Sequence, residues 1–216
     1  MGEQALDAWM RRHGSSFEHN DQSLRVVTLL EEHSNQYLGL NLNREVLDGL
    51  QKHRSKELGM EAQLVNLADE IAYSAHDCDD GLRAGLFTRD EVSAVPLVGR
   101  ASAQTQLRGT SLRGALIDLL VHDLYAVSSS IIAFSTQMRS QLAELQAFLH
   151  GKMYAHPRVR EANQEGQKII TTLCDRLFTQ PTEKVVSLQK RTGGALSDAV
   201  KDYVAGMTDA FAKGML

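Results

Sequence analysis

The stretch 61-EAQLVNLADEIAYSAHDCDDGL-82 decides the fold. Leu64, Ala68, Ile71, Ala75, Cys78 and Leu82 recur at alternating spacings of four and three, the pattern of an apolar stripe along one α-helix. At about 100° per residue, Asp69, Tyr73, His76, Asp77 and Asp80 fall together on the opposite side. Asp69, Tyr73 and Asp77 stand at i, i+4 and i+8, a single column. Such a face is either an ordinary solvated surface or one side of a site. Stacked carboxylates repel one another by roughly 0.2–0.5 kcal/mol per pair, and no lysine in the stretch offsets them. A tyrosine set inside the column is also unneeded for a surface that only has to be wet. A divalent cation or a ribose hydroxyl would be well served by these groups, but one helix supplies one or two ligands and the rest must come from elsewhere.

Helical periodicity extends outward in both directions. The pattern predicts helices over 2–12, 21–33, 43–54, 60–86, 111–149, 157–178 and 196–213, with short helical turns over 88–95 and 182–190. Only three prolines occur and alternating β-branched runs are absent, so the chain reads as all-α. Thr88 with Glu91 three residues on is a capping box, and Pro96 cannot continue that turn. Pro157 suits a first helical position, and Gly151 suits a left-handed residue after a long central helix. The small, polar, glycine-containing segment 97-LVGRASAQTQLRGTS-111 reads as a linker or mobile loop.

Composition narrows the classes. The 216 residues are 43% hydrophobic and 23% charged with a net charge of -4, an ordinary globular balance with no footprint for nucleic acid or an anionic membrane. The longest apolar run, near 115–135, contains Asp118, His122 and Asp123, which argues for a core helix rather than a membrane span. Segment 1-MGEQALDAWMRRHG-14 lacks the apolar region of a secretion signal. Cys78 and Cys174 fit no zinc or disulfide pattern and read as small buried hydrophobes in a reducing, cytoplasmic setting.

No acidic residue lies between Glu91 and Asp118, so Arg100, Arg108 and Arg113 make a local positive stretch suited to phosphate, or simply a solvated basic loop. His122-Asp123 lies in the apolar helix without a partner motif, and His122 reads as a satisfied core histidine. Trp9 reads as a core anchor, and His53 as an exposed helix end.

With these residues in view, 61-EAQLVNLADEIAYSAHDCDDGLRAGL-86 closely resembles a signature of bacterial deoxyguanosine triphosphate triphosphohydrolases, within the HD superfamily of metal-dependent phosphohydrolases. In collinear order, 17-FEHNDQSLRVV-27 is similar to the family's histidine-bearing helix start, 146-QAFLHGKMYAHPRV-159 to its C-terminal associated domain, and 202-DYVAGMTDAFA-212 to its closing helix. The resemblance implies hydrolysis of a dNTP, typically dGTP, to the deoxynucleoside and tripolyphosphate, with divalent Mg²⁺ or Mn²⁺. It implies Asp69 as a metal ligand, Tyr73 and Asp77 as contacts to the deoxyribose and its 3′-hydroxyl, and His19 as the histidine acting beside the phosphate. Arg100, Arg108 and Arg113 would then contact substrate.

The departures carry their own expectations. The family's first His and its His-Asp pair belong upstream of 2-GEQALD-7, so three of four metal ligands are not in these residues, and His13, His19 and His33 are not followed by Asp. Ala210 stands where many relatives have a polar residue, often Arg. The expectation is an all-α remnant of an HD helical bundle over 1–95, a linker over 96–110 and a helical associated domain over 111–216. Such a truncated chain would bind metal weakly or not at all, be inactive alone and expose apolar surface. The alternative is a non-catalytic nucleotide-binding or homo-oligomerising module, and a third reading has the upstream ligands supplied in trans.

Overall fold

The computed structural model describes residues 2–51 and 59–216, and for Gln106 the backbone only. Twelve α-helices are seen among them: α1 (Gly2–Arg12), α2 (His19–Arg25), α3 (Arg44–Leu50), α4 (Met60–Arg83), α5 (Arg89–Ser93), α6 (Pro96–Arg108), α7 (Leu112–Val127), α8 (Thr136–Leu149), α9 (Pro157–Thr179), α10 (Glu183–Thr192), α11 (Leu196–Ala205) and α12 (Asp209–Gly214). Single π-turns follow α2, over Val26–Leu30, and α8, over His150–Tyr154. The only bridge among the described residues is Glu32 to Gly39, so the fold is all-α. None of these helices is long and apolar enough to cross a membrane.

The chain divides into two compact units. The terminal unit draws on both chain ends, up to residue 51 and from 161 onward; the central unit spans 59–160. In the terminal unit, Leu6, Trp9 and Met10 of α1 are buried with Leu173, Cys174 and Leu177 of α9 and Val200 of α11. Trp9 is the expected anchor at 1% exposure, and its Nε1 donates to Asp175 at 2.8 Å. The Asp202 carboxylate, with no exposed side-chain surface, accepts from Gln22 at 3.0 Å and Arg25 at 2.9 Å and faces Lys201 at 3.2 Å. A buried carboxylate needs such company, since an unpaired charge in a core costs several kcal/mol.

In the central unit, α4, α7 and α8 bury Ile71, Ala75 and Cys78 against Leu116, Leu120, Leu142, Leu145 and Leu149. Only the C-terminal part of the expected α4 stripe is covered. Leu64 and Ala68 are exposed, whereas Ser74 and Gly81 are buried beside Ala75 and Cys78. Both cysteines are buried free thiols, as their apolar settings suggest.

Several local expectations are corrected. Residues 97–108 are helix, not a mobile loop: Pro96 begins α6, Leu97, Val98 and Ala101 bury its first turns, and left-handed Gly109 ends it. Its small residues serve close packing, since a Cβ on Gly99 would stand 2.9 Å from the Ser93 carbonyl oxygen. The single helix expected over 111–149 is two. Asp123 accepts from the Ser135 amide at 2.8 Å and its hydroxyl at 2.6 Å, fixing a turn from which Ser135 caps α8. His122 is accordingly exposed and paired with Asp118 at 3.2 Å, not a core histidine. Gly151 sits inside the π-turn without a positive φ, and the closing helix breaks between α11 and α12, where Thr208 caps anew. The Thr88–Glu91 capping box is present. The later part of the helix expected over 43–54, with His53, lies outside the described residues.

Candidate functional site

Burial of Ser74, Ala75, Cys78 and Gly81 fixes the rotation of α4 and turns Asp69, Tyr73 and Asp77 away from that core. Asp69 is exposed, Tyr73 is 48% exposed and Asp77 is half-buried. Tyr154, at the end of the π-turn, donates its hydroxyl to the Asp77 carboxylate. Its ring lies parallel to that of Tyr73, with centroids 6.2 Å apart and 5° between planes. The His150 ring stands 6.3 Å from Tyr154. Burial, and after it the hydrogen bonds with Asp77 and Tyr73, hold the Tyr154 phenol well above the ordinary tyrosine range, so it remains a donor.

The π-turn explains how Tyr154 arrives there. The α8 stripe Met138, Leu142, Leu145, Leu149 would next turn residues 152 and 153 inward. A π-turn holds about one residue more than an α-turn, which advances that position by one. Met153 and Tyr154 therefore pack against the core, and Lys152 turns outward to meet Glu91 at 2.7 Å. The same segment grips α4 elsewhere. Arg139 donates to both Glu70 oxygens at 2.7 and 2.9 Å, and Gln146 adds a bond at 3.0 Å. Glu70 and Asp77 are seven residues apart and share a face, so α4 is held at points two turns apart.

His19 opens α2 in the terminal unit. Glu3 Oε1 accepts from its backbone N–H at 3.1 Å and lies 3.0 Å from its Nδ1, while Glu18 Oε1 lies 3.1 Å from the same nitrogen. The His19 side-chain and backbone hydrogen bonds lower the Glu3 pKa. An ionised carboxylate only accepts, so Nδ1 is the donor in this contact and Nε2 lies outside it.

The three arginines have separate partners. Arg100 donates to Gln141 at 2.8 Å, Arg108 to Asp118 at 2.7 Å, and Arg113 stands 3.9 Å from Asp79. Arg100 and Arg108 are eight residues, or about 12 Å of rise, apart on α6. Asp79 lies about 200° around α4 from Asp77, so Arg113 faces a different side of that helix.

A divalent ion needs several converging ligand atoms. Among the described residues, the one group of three closely spaced His, Cys, Asp or Glu ligand atoms is Glu3, Glu18 and His19, and it does not include Asp69. Asp69 is thus set apart from the one group of this kind among the described residues. The hydrogen bonds of His19 account for that group. Two residues that periodicity alone did not single out join these groups, Tyr154 beside Tyr73 and Asp77 in the central unit and Glu3 beside His19 in the terminal unit. Tyr154 lies inside the 146–159 stretch, but its inward turn depends on the π-turn; Glu3 sits in 2-GEQALD-7, far from His19 along the chain.

Residues 132–215 match the phosphohydrolase-associated domain. A deoxyguanosinetriphosphate triphosphohydrolase-like protein of Thiobacillus denitrificans is 36% identical over 98% of this chain and 68% of its own length. The corresponding figures for such a protein of Caulobacter vibrioides are 34%, 98% and 68%, and for one of Deinococcus radiodurans 35%, 98% and 66%. The chain thus spans about two thirds of the length of these curated relatives. Collinear similarity at this level, over nearly all of an all-α chain, assigns it to the HD-superfamily family of deoxyguanosinetriphosphate triphosphohydrolase-like proteins.

Proposed function

We propose that these residues supply the sugar-binding side of a dNTP triphosphohydrolase site, with dGTP the leading substrate. The observation that carries this reading is the Tyr73–Asp77–Tyr154 cluster. Two parallel tyrosine rings flank a carboxylate that already accepts one hydroxyl hydrogen bond, which suits a flat sugar face and its 3′-hydroxyl. In the family reaction, water displaces the 5′-oxygen from the α-phosphate, yielding deoxynucleoside and tripolyphosphate. His19, with Nδ1 turned to Glu3, would present Nε2 to that phosphate, and Arg100, Arg108 and Arg113 would offer charge to the triphosphate.

The same reading makes these 216 residues inactive by themselves. Of the four metal ligands that the resemblance implies, only Asp69 is matched among these residues. Buried free Cys78 and Cys174 fit a reducing cytoplasm. The alternative, a nucleotide-binding or oligomerising module, draws support from Tyr125 at 88% exposure and Ile131 at 66%.

Two measurements test the proposal. In binding, a hydrogen bond from the 3′-hydroxyl to Asp77 should make dideoxy-GTP weaker than dGTP by roughly tenfold or more, and Asp77→Asn should abolish most of the difference. Equal binding of both nucleotides by the wild type sinks the sugar assignment. In turnover, dGTP with Mn²⁺ or Mg²⁺ should release no tripolyphosphate above an EDTA control. Metal-dependent release that disappears in Asp69→Ala would overturn the inactivity while supporting the reaction.

A further inference from the structure

A second concave site lies within the terminal unit, built from residues that the sugar-site reading does not use. It is a cavity of about 630 Å³ among α10, the α11–α12 turn and the end of the first π-turn. That volume is in the range of small-ligand sites, about 300–1,000 Å³. One face of α10 turns Lys184, Ser187, Leu188 and Arg191 into it at i, i+3, i+4 and i+7. Opposite stand the rings of Tyr203 and Phe211, the latter 47% exposed.

The donors and acceptors along its wall are unequal. Its two carboxylates are occupied: Asp202 is taken up by Gln22, Arg25 and Lys201, and Glu32 pairs with Arg191. On the donor side, Lys184 makes no ion pair with a described residue, and the Ser187 and Tyr203 hydroxyls have no protein hydrogen-bond partner among the described residues. Spent acceptors and available donors select for an oxygen-rich anion. The aromatic and aliphatic surface beside them selects for a flat apolar body on the same molecule.

We propose that this cavity binds an aromatic anion, a compound of one or two fused rings carrying a phosphate or carboxylate, with the charge at Lys184 and the rings against Tyr203 and Phe211. A mononucleotide and an aryl carboxylate share that chemistry. Calorimetric titration of the full chain with AMP and, separately, 2-naphthoate distinguishes them, with adenosine and inorganic phosphate as half-probes. At least one charged aromatic probe should bind about tenfold or more tighter than either half-probe. Lys184→Glu and Phe211→Ala, both at exposed positions, should each weaken it by about tenfold, with unchanged Trp9 emission reporting an intact fold. Asp77→Asn should leave it unaltered, which separates this site from the sugar site. Failure of both probes to bind, equal binding of adenosine, wild-type affinity in both cavity variants, or loss on Asp77→Asn would each overturn the assignment.

Discussion

Gly81 shows how much of α4 depends on a single missing carbon. A Cβ at this position would stand 2.3 Å from the Phe87 ring, which is buried and meets Phe148 edge-on at 5.1 Å. Overpacking of a filled core costs about 1–3 kcal/mol, so Gly81→Ala should lower the melting temperature despite alanine's better helix propensity. Thermal unfolding followed by circular dichroism checks this; an unchanged or raised midpoint would mean that Phe87 moves aside freely. At this scale the sequence was informative where chemistry and regular spacing coincide. Tyr73 and Asp77 share a face because they are four residues apart on an uninterrupted helix. Tyr154 was not legible in the same way, because one additional residue in a turn changes which side chain points inward. Glu3 and His19 were equally opaque as a pair, since their contact joins different helices.

At the scale of elements, the clearest errors of sequence reading were α6 and the α7–α8 break. Glycine, serine and threonine around residues 97–111 resemble loop composition, yet three apolar residues at its start and close approach to Ser93 make the segment helical. Conversely, apolar continuity over 111–149 concealed a turn secured by Asp123 and Ser135. The short α5 has a testable electrostatic anchor. Lys152 from the π-turn, and then the Thr88 cap, lower the Glu91 pKa from 4.5 to about 2. Because the folded value is depressed, ionised Glu91 contributes stability above about pH 4.5 that disappears as pH falls toward 2. Glu91→Gln keeps a capping-box side chain but removes the charge. Its melting temperature should therefore fall below wild type at pH 6 and converge with it near the acid end. Parallel curves across that window would remove Glu91 from the acid response.

At the scale of the whole molecule, the all-α class was legible because helical periodicity persists through both ends of the chain. Exposure was less so, since periodicity marks an apolar face without saying what covers it. Leu64 belongs to the α4 stripe yet is 49% exposed, and Leu107, Tyr125 and Ile131 are 85%, 88% and 66% exposed. Apolar side chains this open favour association. Sedimentation velocity should show mass rising with protein concentration, and Tyr125→Ser with Ile131→Asp should reduce that rise with little change in melting temperature. A single concentration-independent monomer would exclude such association.

The terminal unit also has a history in time. Trp9 bonds to Asp175, 166 positions later, with the entire central unit encoded between them. At about 5–20 residues per second of synthesis, the first helix waits on the order of 10–30 s for its partners. During that interval Leu6, Trp9 and Met10 form an uncovered apolar face on the nascent chain, while the central unit can already close on itself. Translation therefore completes the central unit before the α9 and α11 partners of α1 have emerged.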